Sequence, residues 1–244
     1  DNYSGATVTA DFTISKADFN STVSITGWAY VGYDATTNSP SVSENPGSAA
    51  VTYNYKDQGA DDETYSTTVP TNAGNYTVQA IIAESDNYSG KTVTTDFTIS
   101  KISLTVTAKP NTITYGDAPT ADGVTYSGFI DGESENTPGM FTGTLDYTYN
   151  TAADGTGTDY TTTSDIGTYY IIPGGLSATN YEITFVAGVL TVDKAASSAT
   201  APEAIELTYS GEAQNLVTAG TPVGGTMQYR LEDGTYADAI PRGT

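Results

Sequence analysis

At 244 residues the chain is long enough for two or three small domains, and 29 acidic against 8 basic side chains give it a formal net charge of −21. That charge argues against nucleic-acid binding and against attraction to anionic lipid, because both need clustered cations. Without cysteine or histidine there are no disulfides, no thiolate or imidazole metal sites and no Ser-His or Cys-His nucleophile. The longest apolar runs are too short for membrane insertion.

The first predicted element lies in a segment that the chain repeats. The sequence DNYSGATVTADFTISKA at residues 1–17 recurs as DNYSGKTVTTDFTISKI at residues 86–102. The apolar residues that alternate with polar ones are Val8, Phe12 and Ile14 in the first copy and Val93, Phe97 and Ile99 in the second. Alternation of this kind indicates a half-buried strand. Residues 1–16 are therefore predicted to be the terminal strands of an incomplete repeat, and we expect the chain to be a piece of a longer protein or a processed product.

The rest of the chain follows one order of motifs three times, in diverged forms. A turn that carries Tyr and Gly appears as AYVGYDA (29–35), ITYGDAP (113–119) and LTYSGEA (207–213). A Gly-rich turn and a Tyr-bearing strand follow each of them. The predicted divisions are a whole repeat at residues 17–101, a second at 102–193 and the front half of a third at 194–244. No flexible-linker composition separates the whole repeats, so we expect neighbouring repeats to lie in near-continuous register.

Strand-forming and turn-forming residues together predict the fold class. Thr, Val and Tyr dominate the alternating segments, and no stretch carries a convincing helical period. Turns rich in Gly, Pro, Asn and Asp recur about every 8–12 residues, which is typical of a sandwich. We predict an all-β chain of tandem small Ig-like β-sandwich units arranged as an elongated rod, with β-grasp-like units as the alternative.

A family resemblance rests on these motifs. The sequence TITYGDAPTADGVTYSGFIDGE (112–133), together with LSATNYEITFVAGVLTV (176–192), resembles the bacterial MBG domain of the type with a Tyr-Gly motif. The first unit and residues 207–229 resemble the Ig-like repeats that accompany such domains in large bacterial surface proteins. The resemblance implies a secreted protein on the bacterial cell surface and a non-enzymatic role as the stalk or spacer of an adhesin. It carries over no catalytic or binding residues.

The aromatic residues allow a second hypothesis of function. Trp28 is the only tryptophan and could stack on a sugar, with Tyr30 or Tyr33 beside it. That reading gives a module that binds carbohydrate or another host ligand. The competing interpretation, which we favour, places Trp28 in a small core, because large aromatic side chains dominate burial in small domains.

Most tyrosines fall at equivalent positions of different repeats, which favours packing over ligand binding. Tyr76 in NAGNYTV and Tyr169 in DIGTYYI are one such pair. We expect their hydroxyls to reach a backbone partner at the edge of a sheet. The tyrosines of the Gly-bearing turns are interpreted in the same way, as core or corner residues: they are Tyr30, Tyr115 and Tyr209.

Two acidic loops are candidates for calcium binding. They are DQGADDE (57–63) and DGTGTD (154–159). The candidate ligands are Asp61, Asp62, Asp154 and Asp159. Short Asp/Gly loops can supply several hard oxygens, but neither loop follows the EF-hand pattern, so we favour solvated loops. No cofactor other than calcium is expected.

Two hypotheses concern covalent and intermolecular links. Lys16 and Lys101 occupy equivalent strand ends and are candidates for a Lys–Asn isopeptide bond, although no partner Asn is identifiable. The expected partners of the chain are neighbouring repeats of the same protein. Residues 1–16 of one molecule could instead complete residues 194–244 of another by strand addition. The competing explanation, which we favour, is that the missing strands belong to a longer protein.

Overall fold

The computed structural model describes residues 2–20, 22–26, 32–34, 40–230 and 234–243. Among these residues β-strands dominate, and the helical content is one turn of 3-10 helix at Asp62–Thr64. The predicted all-β class is therefore confirmed. The Ig-like arrangement and the rod shape stay predictions.

The chain divides into two compact units. Unit 1 comprises Asp1–Val106, Tyr126–Asp146 and Gly175–Phe185. Unit 2 comprises Thr107–Thr125, Tyr147–Gly174 and Val186–Thr244. Within the described residues, each strand ladder joins strands that belong to the same predicted repeat. The boundaries of the repeats stay a prediction.

In the predicted repeat at residues 17–101, the described residues form five strands. They are β1 (Ile25–Thr26), β2 (Ser41–Val42), β3 (Val51–Asp57), β4 (Gly74–Ile82) and β5 (Lys91–Ile99). β4 lies between β3 and β5 in an antiparallel sheet, and β1 pairs with β2. Because side chains alternate across a strand, β4 turns Val78, Ala80 and Ile82 inward, where they are buried. Ile82 packs with Phe19 and other apolar residues of this unit.

The predicted repeat at residues 102–193 contains seven strands. They are β6 (Ile102–Ala108), β7 (Asn111–Thr114), β8 (Val124–Ser127), β9 (Thr142–Asn150), β10 (Gly167–Ser177), β11 (Tyr181–Val186) and β12 (Gly188–Asp193). One sheet has the order β7-β12-β10-β9 and another the order β11-β6-β8. β12 pairs antiparallel with β10 and parallel with β7, with Val192 opposite Ile113. Ile171 and Leu190 are fully buried in the core of unit 2.

In the predicted half repeat at residues 194–244, the strands that the described residues form are all short. They are β13 (Ser198–Thr200), β14 (Gln214–Asn215), β15 (Thr221–Val223), β16 (Tyr229–Arg230), β17 (Tyr236–Ala237) and β18 (Arg242–Gly243). They form three separate two-stranded ladders. Ladders this short bury little apolar surface, and among the residues of this segment whose burial is described, Tyr229 is the buried large side chain.

The two copies of the repeated segment differ in structure. The second copy forms β5, as its alternation predicts, with Phe97 opposite Tyr76 on β4. The first copy forms no strand within residues 2–16, contrary to its pattern. A strand needs a neighbour to satisfy its backbone groups, and this segment's first bridge is at Ala17, which pairs with Tyr88.

Candidate functional site

The loop at residues 130–140 in unit 1 holds Glu133 in a fixed backbone position. The N–H of Glu133 donates to the carbonyl of Ile130 over 3.1 Å, which closes a turn. Gly132 stands third in that turn with φ at +87°, a conformation that glycine adopts without strain. On the other side, Ser134 and Thr137 are joined by two hydrogen bonds of 2.9 and 3.0 Å. Turns on both sides therefore restrain the residue that carries the carboxylate.

The Glu133 carboxylate accepts one phenol hydroxyl on each of its oxygens. The hydroxyl of Tyr33 donates to Oε1 and the hydroxyl of Tyr181 to Oε2, both over 2.5 Å. Tyr181 begins β11 and is 1% exposed, and its hydroxyl also accepts the N–H of Ile130 over 3.1 Å. Hydrogen bonds from a hydroxyl to a carboxylate are short and about twice as strong as neutral ones.

Both phenols have a raised pKa. Burial, followed by the hydrogen bond to Glu133, raises the pKa of Tyr181 to about 12. For Tyr33 the hydrogen bond to Glu133 is the largest cause of a raised pKa, with burial second. A carboxylate can accept these bonds only while the phenols keep their protons. The site is therefore built for neutral hydroxyls that face one negative charge.

Aromatic packing orients the two phenols. The rings of Tyr33 and Tyr181 lie edge to face, with centroids 5.9 Å apart at an angle of 70°. Phe129 meets Tyr181 edge to face as well, at 5.5 Å and 82°. Edge-to-face pairs are the preferred aromatic arrangement, so the hydroxyl of Tyr181 is aimed by its neighbours as well as by its own strand.

Asn180 makes the second set of polar contacts. Its side-chain oxygen accepts the N–H of Ala73 over 2.9 Å, and its amide nitrogen donates to the side-chain oxygen of Asn72 over 3.2 Å. Its backbone carbonyl accepts the N–H of Ile102 over 3.0 Å. One asparagine therefore uses its side chain to hold residues that lie 107 and 108 positions earlier in the sequence, and its backbone to hold Ile102.

Two further hydrogen bonds involve Ser100 and Lys101, the last residues of the predicted repeat at 17–101. The N–H of Tyr33 donates to the carbonyl of Ser100 over 2.9 Å, and Lys101 Nζ donates to the carbonyl of Ala178 over 2.9 Å. We call this set of residues the joint: Tyr33, Asn72, Lys101, Glu133, Asn180 and Tyr181. All of them belong to unit 1. The first three lie in the predicted repeat at 17–101 and the last three in the predicted repeat at 102–193.

A polar cavity of about 310 Å³ lies at the joint. Its lining includes Glu133, Asn180 and Met140. The carboxylate of Glu133 and the side-chain amide of Asn180 are already engaged in hydrogen bonds with other residues of the protein. A ligand would have to compete with these internal bonds, so the arrangement suits cross-bridging better than recognition.

The residues predicted to bind a ligand are only partly described. Trp28 and Tyr30 lie outside the described residues. Tyr33 lies in the joint, where its hydroxyl is bonded to Glu133. Carbohydrate or host-ligand binding by these aromatic residues stays a prediction.

Three of the four predicted calcium ligands are engaged by nearby side chains. Asp62 pairs with Lys56 Nζ over 2.7 Å, next to Asp61 at the start of the 3-10 turn. Asp154 accepts the backbone N–H and the hydroxyl of Thr156, and these bonds hold its carboxyl pKa below the usual value. Asp159 accepts the side-chain amide of Asn150 over 2.9 Å. Within residues 2–20, 22–26, 32–34, 40–230 and 234–243, no three acidic side chains group around one point, and calcium binding stays a prediction.

The lysines considered for an isopeptide bond have other partners. Lys16 Nζ donates to the Glu84 carboxylate over 2.5 Å and to the carbonyl of Ser85 over 2.7 Å. Lys101 donates to the carbonyl of Ala178 in the joint. The covalent cross-link stays a prediction.

The equivalent tyrosines behave as predicted. In unit 1 the hydroxyl of Tyr76 donates to the carbonyl of Asn72 over 2.9 Å, and in unit 2 the hydroxyl of Tyr169 donates to the carbonyl of Asp165 over 2.9 Å. In both cases the partner lies four residues earlier, just before a strand. This confirms the expected backbone partner and resembles the tyrosine corner of β-sandwiches.

The predicted Gly-bearing turn is observed at residues 114–117, but the tyrosine of this turn is exposed. The N–H of Asp117 donates to the carbonyl of Thr114 over 2.9 Å, and Gly116 stands third in the turn with φ at +95°. Tyr115 is exposed, as is Tyr209 of the last copy, so these rings lie at the surface and not in a core. The turn at residues 114–117 is therefore defined by the positive φ of Gly116 and not by packing of the Tyr115 ring.

Sequence reasoning missed Glu133 and Asn180. A signal for the second was present, because Asn180-Tyr181 repeats the Asn-Tyr dipeptide of Asn87-Tyr88 at the equivalent position. Glu133 is one of 29 acidic residues and stands in a turn without periodicity, so nothing in its surroundings distinguishes it.

Comparison with known proteins identifies part of the chain. Residues 104–191 match the family model described as MBG domain (YGX type). The match covers less than half of the chain, and it includes Glu133, Asn180 and Tyr181 of the joint. No curated protein matches the chain. MBG domains occur in bacterial surface proteins and are typically non-catalytic structural modules. The described residues contain no helix with the length and hydropathy needed to cross a membrane.

Proposed function

We propose that this chain, which contains an MBG domain of the YGX type at residues 104–191, is a spacer segment in the stalk of an adhesin-like protein on the bacterial surface. It is non-enzymatic and works outside the cell by holding successive β repeats in a fixed order and orientation. The observation that carries the proposal is the joint, in which one carboxylate accepts phenols from two neighbouring predicted repeats.

The chemistry of the joint suits a spacer. The predicted repeats follow each other without a linker, and the residues at their boundary are held on both sides. Ser100 is bonded to Tyr33 and Ile102 to Asn180 of the joint, and Lys101 donates to the carbonyl of Ala178. Two neighbouring repeats joined by a flexible linker would reorient freely relative to each other. Here a bend between them has to break hydrogen bonds to Glu133 and Asn180 together, which opposes bending.

The joint also replaces a common means of stabilisation. The chain has no cysteine, so disulfide bonds cannot cross-link its repeats. A hydrogen bond to a charged group contributes about 1.5–3 kcal/mol to stability. The bond from Tyr33 to Glu133 joins the two predicted repeats without a disulfide, and the bond from the buried Tyr181 holds the same carboxylate in place within its own repeat.

The same bonds argue against catalysis at this site. A general acid or base needs an oxygen free to exchange a proton with a substrate. Both oxygens of Glu133 are occupied by phenols with a raised pKa, which release a proton poorly at neutral pH. The joint therefore supports a mechanical role.

The test is the width of a distance distribution across the joint. The chain has no cysteine, so spin labels can be placed at Thr92→Cys on β5 and Thr184→Cys on β11, both exposed and both in unit 1. We expect one narrow distribution from double electron–electron resonance. Glu133→Ala combined with Asn180→Ala should broaden it, whereas Glu135→Ala, an exposed acid of the same loop, should not. A broad distribution in the unaltered joint would overturn the proposal.

A further inference from the structure

We propose that Tyr33 and Tyr181 form an oxidative modification site, at which a one-electron oxidant couples the two phenol rings into a dityrosine cross-link while Glu133 accepts the phenol protons. The oxidant belongs to the class of haem peroxidases that use hydrogen peroxide. The inference rests on the geometry of the joint. It does not depend on the spacer function.

The two phenols meet at one carboxylate. Each hydroxyl donates over 2.5 Å to a separate oxygen of Glu133, and the two rings lie edge to face with centroids 5.9 Å apart. Phenoxyl radicals of tyrosine couple through the ring carbons next to the oxygen. Because both hydroxyls bond to one carboxylate, these carbons lie at the same end of Tyr33 and Tyr181. Held in this way, two reactants combine in an intramolecular step.

Glu133 supplies the base that oxidation of a phenol requires. A phenol that loses an electron becomes a strong acid, so the electron leaves most easily where a base already holds the hydroxyl. The pKa is raised for Tyr181, chiefly by burial, and for Tyr33, chiefly by the hydrogen bond to Glu133. Both phenols therefore keep their protons until an electron is removed. A base within hydrogen-bond reach is the geometric requirement for proton transfer.

The coupling removes two hydrogen atoms from the protein. Each phenol gives one electron to the oxidant and one proton to Glu133, which passes the first proton to water before it accepts the second. The two radicals form one carbon–carbon bond, and the hydrogens on the bonded carbons move to the phenol oxygens and restore the rings. One hydrogen peroxide takes up two electrons and two protons and becomes two water molecules.

The site gives an oxidant access and leaves the rings room to approach. Tyr33 is half-buried, so an oxidant at the surface can take an electron from its ring. Tyr181 is 1% exposed and gives its electron to the Tyr33 radical, which a second oxidation then restores. The cavity of about 310 Å³ at the joint is lined by both tyrosines and by Glu133, and it leaves space for Tyr33 to move closer.

The cross-link would make the attachment of the two predicted repeats permanent. Tyr33 lies in the predicted repeat at 17–101 and Tyr181 in the predicted repeat at 102–193. A covalent bond between distant positions restricts the unfolded chain, as a disulfide does. The chain has no cysteine, so tyrosine coupling would provide a cross-link that its composition otherwise denies it.

A second pair of tyrosines offers an internal control. Tyr160 and Tyr169 of unit 2, which we call the reference pair, also lie edge to face, with centroids 5.0 Å apart at an angle of 75°. Their hydroxyls donate to the backbone carbonyls of Asp117 and Asp165. A carbonyl is a much weaker base than a carboxylate. If proximity alone decided the reaction, the reference pair would couple at least as well as the pair at the joint.

The test is oxidation of the whole chain, at low concentration, by a haem peroxidase and hydrogen peroxide. Intact mass identifies monomers that have lost two hydrogen atoms, and peptide mapping locates the link. We expect about tenfold more link between Tyr33 and Tyr181 than in the reference pair, because a positioned base accelerates proton transfer by at least that factor. Tyr33→Phe should abolish the link at the joint.

Glu133→Gln tests the role of the base. Glutamine keeps the shape of the side chain and one accepting oxygen but takes up a proton poorly, so the yield of the link should fall about tenfold. Glu135→Gln, which changes an exposed acid of the same loop, should leave the yield unchanged. Urea unfolding checks that both variants are folded before they are oxidised.

Three results would overturn the proposal. They are the absence of a link between Tyr33 and Tyr181, an equal yield in the reference pair, and a yield at the joint that is indifferent to Glu133→Gln. The spacer function is tested separately by the distance distribution across the joint. A narrow distribution without a cross-link would reject the modification site and leave the spacer function standing.

Discussion

Tyr181 donates its hydroxyl to Glu133 over 2.5 Å while its ring is almost fully buried. A buried hydroxyl needs a partner, and an exposed loop rarely supplies a rigid one. Here the loop is braced by the turn at Gly132, and the same carboxylate also accepts Tyr33. This relationship links the order of a surface loop to the attachment of neighbouring repeats.

Removal of the Glu133 carboxylate should destabilise unit 1. Glu133→Ala leaves two phenol hydroxyls without their charged acceptor, and we expect the free energy of unfolding to fall by about 3 kcal/mol. Glu133→Gln keeps one oxygen as an acceptor and should cost about 1 kcal/mol. Urea unfolding measures both variants, with Glu135→Ala as the control. A loss as large in Glu135→Ala would show that the effect is only one of net charge.

The raised pKa of Tyr181 predicts a loss of stability at high pH. The phenol titrates near 10.0 when unfolded and at about 12 when folded, so between these values the unfolded chain releases a proton that the folded chain retains. Stability from this group is complete below pH 10 and declines as the pH rises toward 12.

The check is the slope of unfolding free energy against pH over that range, compared between the unaltered chain and Tyr181→Phe. The slope should be shallower in the variant, because the group responsible is absent. Equal slopes would mean that Tyr181 does not hold its proton as the structure requires.

Asn180 should protect a single backbone amide. Its side-chain oxygen accepts the N–H of Ala73, so Asn180→Ala should speed hydrogen exchange of that amide and lower the free energy of unfolding by about 1–2 kcal/mol. Asn136→Ala, in an exposed turn, is the matched control. Unchanged exchange at Ala73 would contradict the bond.

The corner at Tyr169 should depend on its hydroxyl. Tyr169→Phe keeps the ring in the core of unit 2 but removes the bond to the carbonyl of Asp165, and we expect a loss of about 1 kcal/mol. Tyr170→Phe, at the adjacent strand position, should change stability by less than about 0.5 kcal/mol. Thermal or urea unfolding measures the stability of both variants. An equal loss of stability in Tyr170→Phe would contradict a specific contribution of the hydrogen bond from Tyr169 to Asp165.

The sequence predicts those parts of the fold that depend on local pattern. Alternation in residues 92–100 predicts β5, and the equivalent spacing of Tyr76 and Tyr169 predicts their backbone partners. Alternation fails for residues 2–16, because a pattern describes which face would be buried and not whether a neighbouring strand is present.

The joint could not be predicted in the same way. Tyr33, Glu133 and Asn180 are far apart in the sequence, and each stands in a turn or at a strand end where no periodicity applies. Their roles follow from which loops meet, which is a property of tertiary structure. Only the repeated Asn-Tyr dipeptide hinted that Asn180 and Tyr181 belong together.

The most direct measurement of the central claim is ¹⁵N relaxation of backbone amides within unit 1. Amides of β4 and β5 report on the predicted repeat at 17–101, and amides of β11 report on the repeat at 102–193. A fixed joint predicts one rotational correlation time for both sets, which separates into two when Glu133→Ala and Asn180→Ala are combined. Two different correlation times in the unaltered chain would contradict the spacer account, since the repeats would then reorient independently.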